Sequence, residues 1–170
     1  AQAWKVTDPM GENIIYKEIE AETTNNAYSF NNNILNWDIK NSDPVESTTQ
    51  QGNKKYTYTL KYKVVLDTTN PNVNYNEVLT NGDTILDYYL FSKQDQDESR
   101  ELKHASFNVP KVKGLFGELN FTKVNEVKTG MPGVLFTLSG TATGSEKSVK
   151  MAVESDSNGN VNFSKIPAGE

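Results

Sequence analysis

The side chain in this sequence whose setting most invites chemistry is Lys123. In the run from Glu118 to Asn125, strict alternation puts Leu119, Phe121 and Lys123 on one face of a strand and Asn120, Thr122 and Val124 on the other. An ammonium therefore lands on the apolar face, where an unpaired charge is strongly disfavoured. Such a lysine finds a partner, snorkels its charge out at the strand end, or gives up its proton and becomes a nucleophile.

Little else in the sequence is chemically equipped. His104 is the sole histidine, so neither a zinc site nor a Ser-His-Asp triad has enough members. Asp95, Asp97 and Glu98 sit in a charged run, but without the Asp-x-Asp-x-Asp-Gly spacing of a calcium loop. The absence of cysteine excludes disulfides and thiolate metal sites, and any covalent strengthening has to use other side chains. No pair of carboxylates or activated nucleophile suggests hydrolysis, and neither enzyme activity nor a cofactor or metal is expected. A binding module contacting matrix protein or glycan would have to use aromatic residues such as Trp4, Tyr75, Tyr88 and Tyr89.

The balance of charge narrows the partners. A net charge of -5 argues against nucleic acid, whose binding draws on lysines and arginines that neutralise phosphates. No apolar run approaches the roughly 20 residues that span a bilayer, so no membrane insertion is expected. With 35% hydrophobic residues the sequence suits small sandwiches with wet outer faces.

The elements that must position Lys123 are strands, because short alternating runs bounded by Asn, Gly, Asp and Pro recur while helical periodicity is hard to find. The fold is expected to be all-β, two tandem sandwiches. Residues 13–19 and 33–39 read as strands, with Trp37 as a core anchor. Residues 56–66 read as one long strand burying Tyr56, Tyr58, Leu60, Tyr62, Val64 and Leu66. Residues 84–91 read as a further strand. The segment from Phe107, with its proline and lysines, reads as a strand leading into a connector, placing the boundary between units 1–112 and 113–170. The second unit is expected to hold strands near 118–125, 134–139, 149–154 and 161–166, with Asn158-Gly159 as a hairpin turn. It ends at Glu170 with an exposed edge, as if cut mid-domain.

Particular motifs carry a resemblance. Phe121-Thr-Lys123, Gly133-Val-Leu-Phe136-Thr-Leu138, Asn158-Gly159 with Phe163, and Ile166-Pro167-Ala-Gly169 resemble the Cna B-type domain of Gram-positive surface proteins and pilins. Val6-Thr-Asp8-Pro-Met-Gly11, the Tyr58 to Leu66 strand, Leu79-Thr-Asn81-Gly-Asp-Thr84 and Phe107 to Lys113 resemble the immunoglobulin-like stalk domain that follows the von Willebrand A-type domain in streptococcal pilus tip adhesins. The resemblance implies stalk domains with autocatalytic isopeptide bonds between lysine and asparagine, assisted by a buried acid. It places the acid of the first unit at Asp8 and the asparagine at Asn81, with the lysine on a strand preceding the von Willebrand A-type domain. In the second unit it makes Lys123 the lysine, with acid and asparagine beyond Glu170.

Apolar surroundings favour neutral lysine and protonated acid, the state needed for attack on a side-chain amide, and the acid would polarise the amide oxygen before ammonia leaves. Both residues of the first unit have plainer readings. Asn81-Gly82 is also a common hairpin dipeptide, and Asp8-Pro9 a common turn opener.

The expected role is that of a structural stalk on the Gram-positive cell surface. Its partners would be a backbone pilin, sortase-mediated attachment in the parent, and host matrix or a receptor reached through the parent adhesin.

Overall fold

The computed structural model describes residues 4–21, 24–89 and 101–170, so the run holding Asp95, Asp97 and Glu98 lies outside the described part. The strands in chain order are β1 Lys5–Pro9, β2 Ile14–Ile19, β3 Ala27–Asn31, β4 Ile34–Asp38, β5 Val45–Thr48, β6 Lys54–Thr57, β7 Tyr62–Leu66, β8 Val78–Leu79, β9 Ile85–Tyr89, β10 Leu102–Ser106, β11 Lys111–Val112, β12 Phe116–Thr122, β13 Leu135–Thr141, β14 Ser148–Glu154 and β15 Asn160–Pro167. One 3-10 turn, Ile39–Asn41, follows β4, and no α-helix occurs among the described residues. The fold is all-β.

The chain divides into two compact units, Ala1–Val65 with Val78–Lys111, and Leu66–Glu77 with Val112–Glu170. The segment Leu66–Glu77, expected to lie with the first unit, groups with the second.

In the first unit β10, β9, β1, β4 and β3 form a five-stranded sheet with β1 at its centre. Alternation along β1 turns Val6 and Asp8 inward and leaves Lys5, Thr7 and Pro9 less covered. A carboxylate thus occupies a core-facing position. The pair β2 and β7 covers this face, with Tyr16 of β2 stacked on Phe30 of β3 at 4.1 Å between ring centroids. Leu35, 2% exposed, anchors the core from β4.

The long strand expected over 56–66 is broken. β6 ends at Thr57 and β7 begins at Tyr62, and Tyr56 and Tyr58 are exposed. Tyr and Thr alternate without a turn residue there, and both types favour strands, so their alternation carries no sign of the break. Trp37 is half-buried and shares its indole N–H between Asn26 Oδ1 and Ser42 Oγ, at 3.1 and 3.0 Å.

In the second unit β12 pairs with β15 and β13 with β14, all antiparallel. Phe121 meets Phe136 edge-on at 4.9 Å between centroids, joining the two pairs, while Val161 and Phe163 are buried on β15. Asn158-Gly159 makes a turn closed by Asp156, whose Oδ1 accepts from the N–H groups of Asn158 and Asn160. That turn hands the chain from one strand pair to the other and does not join two paired strands as a hairpin would. Within this unit Lys147 bridges to Asp67. Burial pushes the Asp67 carboxyl up, but the Lys147 ammonium and the bonds from Thr69 outweigh it and hold it below the usual carboxylate range.

Gly11, two residues past the end of β1, is where the chain passes tightly under β8. A Cβ at this position would sit 2.1 Å from the Leu79 carbonyl oxygen, and the Gly11 N–H is already bonded to Thr80 O. Gly11→Ala is therefore expected to lower unfolding free energy by about 1–3 kcal/mol in chemical denaturation. Unchanged stability would refute the close approach.

Candidate functional site

The end of β1 and the 80–84 loop are laced together by backbone. Gly11 N–H donates to Thr80 O, Gly82 N–H donates to Pro9 O, and Met10 bridges Asn81. Pairing of β1 with β9 stops at Thr7 and Ile85, so the position beside Asp8 is filled by side chains of this loop. Asp8 and Asn81 are both 7% exposed.

Four hydroxyl and amide groups converge there. Asp8 Oδ1 accepts from Asn81 Nδ2 at 2.7 Å and from Thr84 Oγ1 at 2.6 Å. Asp8 Oδ2 accepts from the Tyr62 hydroxyl at 2.6 Å. The Tyr62 oxygen in turn accepts the second amide hydrogen of Asn81 at 2.7 Å. Asn81 Oδ1 takes the hydroxyl of Thr80 at 2.6 Å. Among the described residues no buried side-chain polar atom is left without a partner.

The arrangement differs from the expected one in a chemically useful way. Asp8 does not face the amide oxygen of Asn81 but its nitrogen, the atom that departs as ammonia if the amide is attacked. A proton passed to Asp8 would have a direct path to that leaving group. The oxygen, where negative charge would gather in a tetrahedral intermediate, is covered by the Thr80 hydroxyl.

Thr80, Thr84 and Tyr62 were missed as site residues by reading the sequence. The two threonines flank Asn81 within the motif that drew attention to it. Tyr62 reads as one more core aromatic on an alternating strand, and its partner Asp8 lies 54 residues away.

Burial first, then the bond to Asp8, pushes the Tyr62 hydroxyl well above the usual tyrosine range. The phenol stays neutral and donating in the fold. Because the folded-state value exceeds the unfolded one, this contribution is whole below about pH 10 and is lost as pH rises beyond it. Tyr62→Phe is expected to flatten part of the loss of stability between about pH 10 and 12, read from denaturation midpoints. An unaltered alkaline profile would argue against the buried phenol.

Lys123 belongs to the second unit. β12 ends at Thr122, so Lys123 lies just past the strand, half-buried, and its Nζ donates to Val124 O at 3.1 Å. Its own N–H and C=O are taken by Gly159 O and Met131 N. Glu170 is exposed at the end of the chain, with its backbone paired to Thr141.

The other singled-out residues fall elsewhere. His104 Nδ1 meets Asp87 Oδ1 at 2.6 Å across β10 and β9 on an exposed face. Tyr75 is buried, and Trp4 packs against Tyr88 at 5.6 Å between centroids, so three of the four aromatics considered for binding are engaged within the protein.

Residues 1–113 match the family model described as tip pilin GBS104-like, Ig-like domain. Among solved structures, the fold is similar to the crystal structure of BcpA, the major pilin subunit of Bacillus cereus, with a TM-score of 0.53 and 16% identity over 96% of this chain and 45% of that one. A variant of the same pilin aligns with a TM-score of 0.56 and 15% identity over 98% of this chain and 46% of that one. The chain thus spans less than half the length of these pilins, and at such identity the likeness is one of fold. No curated protein matches the chain. With the family model covering 113 of 170 residues, the chain belongs to the family of tip pilin GBS104-like, immunoglobulin-like domains.

Proposed function

We propose that this chain is a structural stalk segment of a cell-wall-anchored pilus tip adhesin, presenting an adhesive domain to host tissue and bearing load. The observation that carries this reading is the buried Asp8–Asn81 pair, held at 2.7 Å inside a unit of the tip pilin family. In it, Asn81 is the acceptor half of an isopeptide bond whose lysine comes from residues outside this chain. The neutral lysine amine attacks Cγ of Asn81, and a new C–N bond forms. Asp8 takes the proton that the incoming amine sheds and passes it to Nδ2, the bond from Cγ to that nitrogen breaks, and ammonia leaves.

Lys123 is assigned the matching role in the second, Cna B-type unit, with acid and asparagine from residues outside this chain. Cross-links of this kind supply in a cysteine-free protein what disulfides supply elsewhere, a restriction of the unfolded chain that reduction cannot undo. The parent protein, attached by sortase chemistry to a backbone pilin, would meet host matrix or a receptor through its adhesive domain.

Tandem mass spectrometry of the digested parent protein tests the assignment. A branched peptide joining Asn81 to a lysine is expected. Recovery of Asn81 only in a linear, unmodified peptide would sink it.

A further inference from the structure

We propose that the cleft between the 71–76 loop and the start of β12, within the second unit, binds a carboxylate-bearing oligosaccharide. The cleft encloses about 590 Å³ and is lined by Asn72, Asn74, Asn76, Lys113, Phe116 and Lys165 among others. A second cleft of about 500 Å³ shares Pro71, Val73, Tyr75, Phe116 and Lys165 with it and adds Lys150.

The charge of this region is reversed relative to the protein. The chain carries a net charge of -5, yet among the described residues neither cleft has an aspartate or glutamate in its wall. Lys113, Lys150 and Lys165 are exposed, and none forms an ion pair among the described residues. Lys165 holds its place with φ of 54°, a conformation that L side chains rarely adopt. Unpaired ammonium groups gathered without acids form a site for an anion, and carboxylates take charge-assisted bonds from them.

The remaining groups indicate the body of the ligand. Within the loop, Asn70 and Asn74 spend their side-chain oxygens on the N–H groups of Asn72 and Asn76, and the Tyr75 hydroxyl donates to Asn70 O. The side-chain amides of Asn72 and Asn76 have no partner among the described residues. Each carries a donor and an acceptor side by side, the complement of neighbouring hydroxyls on a sugar ring. Phe116 and the exposed Leu115 offer apolar surface to the ring's C–H face. An acidic peptide would satisfy the lysines and amides but brings no rigid C–H ring face to Phe116 and Leu115. The cleft shares no residue with the Asp8–Asn81 cluster, so this inference does not depend on cross-linking.

Titration of the isotopically labelled chain with a hyaluronan hexasaccharide, followed by amide NMR, tests it. Shifts are expected at residues 72–76, 113–116 and 165, together with binding about tenfold or more tighter than for the uncharged hexamer of N-acetylglucosamine. Lys113→Gln with Lys165→Gln is expected to weaken binding about tenfold or more, as is Asn72→Ala with Asn76→Ala, with the remaining spectrum unchanged. Absence of binding, equal affinity for the uncharged sugar, full affinity in both double variants, or equal or tighter binding of a hexaglutamate peptide would each overturn the proposal.

Discussion

Asp8→Ala is expected to destabilise this chain by about 3–5 kcal/mol, because three donors lose their acceptor at once and each buried unsatisfied group costs about 1–3 kcal/mol. The donors are Asn81 Nδ2, Thr84 Oγ1 and the Tyr62 hydroxyl. A loss of that size is a large share of the roughly 5–15 kcal/mol that holds a typical domain folded. Asp8→Asn keeps the shape and one accepting oxygen but sets an amide N–H₂ against a donor, and it should cost less, about 1–3 kcal/mol. Urea denaturation of both variants gives the two values. Coupling between Asp8→Ala and Thr84→Val in a double-mutant cycle should reach about 1 kcal/mol. A cost for Asp8→Ala below about 1 kcal/mol would remove the network from any account of this unit's stability.

The second large effect concerns the parent protein, in a length that includes the lysine proposed to react with Asn81. Its mass is expected to fall below that of its sequence by about 17 Da for the bond at Asn81, the mass of the ammonia released by amide condensation. Asn81→Ala and Asp8→Ala should each abolish that deficit, the first by removing the reacting amide and the second by removing the group that protonates the departing nitrogen. Closing a long loop covalently restricts the unfolded state by about 4 kcal/mol or more, so the variants should melt lower by on the order of 10 °C. Retention of the full deficit in Asp8→Ala would dismiss Asp8 from the chemistry. A parent protein that folds at its full sequence mass would dismiss the bond altogether.

Much of the architecture is legible in the amino-acid order, because period-two burial is written into strands that keep one face dry. β13 and β14 alternate along their whole lengths, and they lie where that alternation places them. The same signal misleads where both faces carry strand-favouring residues. From Tyr56 to Tyr62 the side chains alternate while the backbone leaves the sheet, and the contacts that hold it there, Asn26 Nδ2 to Thr59 O and Glu20 N–H to Lys61 O, come from distant loops.

Lys123 shows the same limit in miniature. Alternation carries it onto the apolar face, but β12 stops one residue earlier because Asn125 organises the turn behind it, accepting at Oδ1 from the N–H groups of Val127 and Thr129.

The site was legible in part. Asp8 and Asn81 were reached through motifs, and the structure places them in contact. Orientation of the amide toward the acid was not legible, since it depends on a threonine beside it and a tyrosine on another sheet, and hydrogen-bond direction has no periodicity to reveal it.

The grouping of Leu66–Glu77 with Val112–Glu170 bears on how such proteins can be rearranged over generations. A genetic exchange with one breakpoint near residue 112 would carry off the second unit without twelve residues that are encoded inside the first. The recipient would inherit Lys147 without Asp67, and a Phe116 lacking Tyr75, its ring neighbour at 5.2 Å. Inheritance of the two units is therefore coupled: they are expected to be passed on as one cassette, and shuffling in this lineage should find its joints outside the pair.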